Sequence, residues 1–169
     1  NYTASAGNIV FNSTINCYNQ NAHNLGVTAT AGSVTFAGVI GGSVPLRYFG
    51  VSAGASINLG SNITTTQSQS YNSVGTAANA GTVNLTTSVA LKTTTVAGSV
   101  AQTSSGDIYI NTPFSWSSNN ALTIDATRHI EINSPITASF SGTITQPLLN
   151  LKSGQATTNG AGSHIWFRS

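Results

Sequence analysis

Charge is the scarcest commodity in this chain. Only 5% of its 169 residues are Asp, Glu, Lys or Arg, against about 25% in an ordinary soluble domain. The full set is Arg47, Lys92, Arg128, Lys152 and Arg168 against Asp107, Asp125 and Glu131. Five scattered cations cannot line a basic groove, so nucleic acid is not an expected partner. Three acids leave little for catalysis, since glycoside hydrolysis needs two carboxyl groups about 5–10 Å apart. Cys17 is the only cysteine, which rules out an intrachain disulfide, and it reads as a buried, inert thiol. Methionine is absent. No apolar run approaches the ~20 residues of a membrane-spanning helix, so membrane insertion is not expected. No signal peptide opens the chain, and Asn1 reads as a cut within a longer precursor.

Asn, Ser, Thr and Gly supply the polarity that charge does not. Disordered chains are poor in β-branched and aromatic residues, whereas Val, Ile and Thr are abundant here and favour strands. A nine-residue pattern then recurs. It carries apolar residues at its third, fifth and ninth places, in GNIVFNSTI from Gly7, GSVTFAGVI from Gly32, ASINLGSNI from Ala55, GTVNLTTSV from Gly81, GDIYINTPF from Gly106 and RHIEINSPI from Arg128. A seventh copy, SHIWF from Ser163, is cut short by the C-terminus. Successive starts are 25, 23, 26, 25, 22 and 35 residues apart.

The columns of this alignment agree. The third place holds Ile9, Val34, Ile57, Val83, Ile108, Ile130 and Ile165; the fifth holds Phe11, Phe36, Leu59, Leu85, Ile110, Ile132 and Phe167. The ninth holds Ile15, Ile40, Ile63, Val89, Phe114 and Ile136, and the seventh is always small. Apolar residues two apart fit a strand with one buried face, and a small residue followed by a second inward position fits a tight corner. Pairs ahead of the motif, Leu25 with Val27, Phe49 with Val51 and Leu122 with Ile124, supply a third face. The expected fold is all-β: a right-handed parallel β-helix (β-solenoid) of about six to seven coils of 22–26 residues, each column forming one inner ladder. A sandwich of antiparallel strands would explain the alternation but not near-constant spacing, nor the scarcity of Asn-Gly and Asp-Gly turns.

Residues 1–169 thus read as a single β-helix segment of a longer rod. Neither end carries a polar cap, so either more coils continue or identical chains stack end to end. The 35-residue step leaves room for an extra half-coil through Leu148, Leu149 and Leu151, and for an irregular loop near residues 152–163 containing GQATTNGAG from Gly154.

With its repeats laid out, the chain resembles the repeat region of filamentous-haemagglutinin-type exoproteins of two-partner secretion, and of large haemagglutinin-repeat adhesins of Gram-negative bacteria. The segment GDIYINTPFSWSSNNALTIDATRHIEINSPI, from Gly106 to Ile136, carries the resemblance best. AHNLGVTATAGSVTFAGVIGGSVPL, from Ala22 to Leu46, is similar to another repeat of those proteins. The resemblance implies a secreted or cell-surface rod that serves adhesion, exported by a domain not recognisable here. It covers structural positions and carries over no binding residue.

Candidate sites are few. The second place of the motif runs Asn8, Ser33, Ser56, Thr82, Asp107, His129 and His164, which makes Asp107 and His129 outward neighbours suited to a surface ion pair. A metal would need a third ligand, and neither a metal nor another cofactor is expected. His23 reads as a solvated loop residue. The fourth place runs Val10, Thr35, Asn58, Asn84, Tyr109, Glu131 and Trp166, where Asn58 over Asn84 makes an amide ladder. Tyr109, Glu131 and Trp166, with Trp116 joining after a corner, form a face able to contact a glycan or a protein partner. No catalytic triad, phosphate loop or paired-cysteine motif is present, and no enzyme activity is expected. The Asn-x-Ser/Thr triplets at Asn1, Asn12, Asn62 and Asn84 are no more than chance in so Asn- and Thr-rich a chain. Ice binding, another use of Thr-rich solenoids, needs a flatter and more regular Thr array.

Overall fold

A computed structural model describes residues 1–19, 22–76, 79–93, 107–116, 120–139, 149–153 and 164–168. Three sheets of parallel strands run side by side through the stack, and the chain visits them in rotation: the fold is a parallel β-solenoid. The seven-stranded sheet comprises Tyr2–Ala4, Leu25–Ala29, Phe49–Ala53, Gln69–Ser73, Ile108–Ile110, Ile130–Ile132 and Ile165–Phe167, in that order. The six-stranded sheet comprises Ile9–Phe11, Val34–Phe36, Ser56–Leu59, Thr82–Leu85, Phe114–Trp116 and Ile136–Ala138. The four-stranded sheet comprises Ile63–Thr65, Val89–Thr93, Leu122–Ala126 and Leu149–Ser153, and single bridges from Ile15 to Ile40 and Ile40 to Ile63 carry it back to the first coils. One antiparallel pair, Gly75–Thr76 with Asn79–Ala80, lies in the chain between Gln69–Ser73 and Thr82–Leu85.

Alternation decides which side chains enter the rod. Phe49–Ala53 and Leu122–Ala126 bury every second residue, as the two-residue period of a strand requires. The inner side chains stack coil upon coil. Phe11, Phe36, Phe49, Tyr71 and Phe114 form a continuous series of ring contacts with centroids 5.1–5.7 Å apart, within the range that adds to simple area burial. Corners stack as closely as strands do. A Cβ placed on Gly38, the small seventh residue of its motif, would strike the backbone of Ser13 in the neighbouring coil. Gly41 has φ +69° and faces the Thr64 carbonyl, a conformation and a space that suit glycine alone.

The single-column expectation is corrected at one point. Ile9, Val34, Ile57 and Val83 pair in turn within the six-stranded sheet. Val83 then pairs with Phe114, 31 residues further on, and not with Ile108. Ile108, Ile130 and Ile165 continue the seven-stranded sheet, beginning beside Gln69. The fifth place splits in the same way, with Leu85 over Leu59 but Ile110 beside Tyr71. The motif encodes a strand, a corner and a strand, and two different corners of the coil satisfy it. The first four copies turn from the six-stranded to the four-stranded sheet; the later ones turn from the seven-stranded to the six-stranded sheet. The coil from Val83 to its partner Phe114 takes 31 residues, against 26 from Ile57 to Val83, so the motif returns one face early at an unchanged spacing.

The extra half-coil is corrected as well. Leu149–Ser153 pairs in full register with Leu122–Ala126, from Leu122↔Leu149 to Ala126↔Ser153, and is the ordinary third face of its coil. Leu148 and the GQATTNGAG stretch lie outside the described residues. A strand that the motif missed is Gln69–Ser73, whose inward residues are Gln69, Tyr71 and Ser73. Tyr71 Oη donates to Gln69 Oε1 at 2.8 Å, and Gln69 Nε2 donates to Thr65 Oγ1 at 3.2 Å and to the Ile63 carbonyl at 3.3 Å. Internal hydrogen bonds allow so polar a strand to sit in the core.

Candidate functional site

The late strands of the seven-stranded sheet bring together two of the three acids, Asp107 and Glu131, and two of the three histidines, His129 and His164. Because Ile108, Ile110, Ile130 and Ile132 point inward, Tyr109, Glu131 and Trp166 stand in register on the outer surface. They belong to a different sheet from Asn58 and Asn84, with which the motif alignment had grouped them. The amide ladder is present on the six-stranded sheet: Asn84 Nδ2 donates to Asn58 Oδ1 at 3.1 Å, and Asn58 Nδ2 donates to Thr35 Oγ1 at 3.1 Å.

Asp107 departs from its expected role as a solvated outward acid. It is 2% exposed. Arg128 Nε donates to its Oδ1 at 2.7 Å, and Arg128 Nη2 donates to its Oδ2 in a second, short contact. Tyr109 Oη donates to Oδ2 at 2.9 Å, and the His129 backbone N–H donates to Oδ1 at 3.1 Å. The partner in the ion pair is therefore Arg128, while His129 contributes its main chain. Burial pushes the Asp107 carboxyl up, but its bonds from Arg128 and Tyr109 outweigh that and hold it below the ordinary carboxylate value. It is an ionised structural acceptor. Burial and the bond to Asp107 push Tyr109 up, and the same carboxylate pushes Arg128 up.

Beside this cluster three rings gather. His129 lies 5.5 Å from His164 and 4.9 Å from Trp166, with interplanar angles of 14° and 27°; His164 lies 5.4 Å from Trp166 at 13°. Arg168 sits over the Trp166 ring at 5.9 Å, and its Nε is 3.4 Å from Glu131 Oε1. The His164 backbone N–H donates to His129 Nδ1 at 3.1 Å. Trp166 is 39% exposed. Trp116 does not join this face: it is buried in the core on the six-stranded sheet, with Nε1 donating to the Asn120 carbonyl at 2.8 Å. Two near-parallel imidazoles do not converge on a point, and among the described residues no three His, Cys, Asp or Glu side chains are grouped to hold a metal ion.

Comparison of the chain with family models, with curated proteins and with solved structures finds no match.

Three further placements bear on function. Asp125 lies on the four-stranded sheet, in register with Lys92 and Lys152, and so shares no face with Asp107 or Glu131. Cys17 is buried, but it is not isolated: Sγ lies 3.1 Å from His23 Nδ1. Burial pushes this thiol up, yet the His23 contact and the backbone N–H groups of Ala22, Asn19 and His23 together bring it below the ordinary thiol value. Six residues separate the two in sequence, but only the fold of the loop shows that they meet. Finally, a cavity of about 540 Å³ opens among Ile132, Ile136, Leu149 and Phe167.

Proposed function

We propose that the chain is a structural rod segment of a secreted bacterial surface adhesin or extracellular filament, mediating attachment or fibre formation. The observation that carries this reading is the stack itself. Each coil adds one layer to three parallel sheets, so length grows with coil number while the cross-section repeats. The resemblance of Gly106–Ile136 and Ala22–Leu46 to repeats of filamentous-haemagglutinin-type exoproteins supports it, as does a surface built of Thr, Ser and Asn with little charge.

Negative-stain microscopy of the chain over a concentration series, with light scattering in parallel, tests the reading. Rods that lengthen with concentration establish a self-assembling fibre subunit. Short rods of one length point to a segment of a single long adhesin. Compact particles with no long axis overturn the rod.

A second reading, carbohydrate contact, is favoured by the exposed Trp166 ring in its stack with His129 and His164 beside Tyr109 and Glu131. Sugar rings stack on such surfaces. Glycan-array binding that disappears in Trp166→Ala and Tyr109→Ala would establish it; equal binding by both variants would exclude it.

A further inference from the structure

The strand Ile165–Phe167 pairs with one neighbour, Ile130–Ile132, among the described residues. Its hold on that neighbour includes the His164 carbonyl accepting from Ile130 N–H at 3.0 Å and Arg168 N–H donating to the Ile132 carbonyl at 2.8 Å. A third contact differs in kind: His164 N–H donates to the imidazole Nδ1 of His129. A backbone N–H has no other role than donor, so this bond exists only while Nδ1 carries no proton. We propose that His129 is an acid-labile latch, which fixes the strand Ile165–Phe167 on the stack at neutral pH and frees it when the imidazole is protonated.

The surroundings of His129 decide the direction. On its own strand stand Arg128 and Glu131; from the strand on one side come Asp107 and Tyr109, and from the other His164, Trp166 and Arg168. The two carboxylates favour a charged imidazole, but each already faces a guanidinium, Asp107 that of Arg128 and Glu131 that of Arg168. The Trp166 face also favours a cation, and Arg168 already lies over it. Against the charged form stand burial, the guanidinium of Arg128 and the second imidazole stacked at 5.5 Å. In agreement, burial, Arg128 and His164 together hold the His129 imidazole below its ordinary value despite Asp107 and Glu131. Once protonated on Nδ1, His129 opposes a donor to a donor. The strand that gives way carries Trp166, so acidification would also dismantle the ring stack.

Backbone amide exchange of His164 and Arg168, followed by NMR on the whole chain from pH 8 to pH 5 and corrected for intrinsic rates, tests the latch. Protection should fall about tenfold or more across the imidazole range, the factor expected for losing one hydrogen bond. His129→Asn keeps an acceptor that does not titrate at the place of Nδ1, and its protection should stay level. His164→Gln leaves the backbone donor in place and should still release. A flat wild-type profile, or a His129→Asn profile that falls like the wild type, overturns the proposal. The 15N shifts of the His129 ring at pH 8 give a check that does not depend on strand release. A proton on Nε2 supports the latch, and a proton on Nδ1 overturns it.

Discussion

Truncating Asp107 to alanine removes a buried acceptor from three residues at once: Arg128, Tyr109 and the His129 main chain. Breaking a fully buried ion pair costs about 3–5 kcal/mol. Here the carboxylate side chain is 3% exposed but that of Arg128 is 29% exposed, so the guanidinium recovers part of its hydration when released. The expected loss is therefore about 2–3 kcal/mol, or a Tm lower by about 4–12 °C for a chain of this size. Asp107→Asn keeps the shape and one acceptor oxygen and should lose less. Urea unfolding followed by circular dichroism at pH 7, with amide exchange at Ile108–Ile110 and Ile130–Ile132 to localise the change, gives both numbers. The pH dependence follows from the direction of the shift. A carboxyl group lowered in the folded state stabilises the fold above its unfolded value of 3.8, and that contribution disappears as pH falls through the lower folded value. The wild type should thus lose stability on acidification below about pH 4, and Asp107→Ala should lose less over that interval. A loss under about 0.5 kcal/mol in Asp107→Ala would show that the cluster is a loose surface arrangement, against the geometry described.

Three other perturbations separate the described packing from plausible alternatives. In a Cys17→Ala background, Val83→Cys with Phe114→Cys should form a disulfide on mild oxidation, because the pair are cross-strand partners, whereas Val83→Cys with Ile108→Cys should not; mass spectrometry after alkylation tells them apart. Gly38→Val should lower the urea midpoint by the equivalent of about 1–3 kcal/mol by driving Cβ into the Ser13 backbone, while Gly50→Ala, which meets nothing within 4 Å, should stay within about 0.5 kcal/mol. The rate of Cys17 alkylation by iodoacetamide should rise with a midpoint below the ordinary thiol value of 9.0, and His23→Phe should move that midpoint upward; identical midpoints would mean that His23 does not act on the thiol.

The solenoid was legible because its signal is redundant. Every inward residue of a coil is repeated in the next, so Ile9, Val34, Ile57 and Val83 announce one another. That redundancy also set the limit on what could be read. The nine-residue pattern specifies an inward strand, a corner and another inward strand, and it does not specify which corner. Nothing in GDIYINTPF itself distinguishes Ile108 over Val83 from Ile108 beside Gln69. The distinction lies in how far the preceding coil travels, and that depends on chain with no periodicity of its own. Gln69–Ser73 stayed hidden for the opposite reason. Its inward positions are filled by Gln69, Tyr71 and Ser73, whose burial is made acceptable by hydrogen bonds of Gln69 to Thr65 and Ile63, of Tyr71 to Gln69 and of Ser73 to the Ala55 carbonyl, partners that only the folded coil supplies.

The same reasoning explains the candidate site. Placing Asp107, His129 and His164 in one column was enough to bring them together, because all three follow the slip and keep a common register. Their roles did not follow from the column. An outward place on a strand is exposed only when its neighbours are short, and Asp107 has Arg128 and Tyr109 beside it, both long enough to fold over the carboxylate. Trp116 shows the converse. Its strand pairs Phe114 with Ile136 and Trp116 with Ala138, which places both rings on the inward side. An aromatic two residues beyond an inward phenylalanine belongs to the core by the period of the strand.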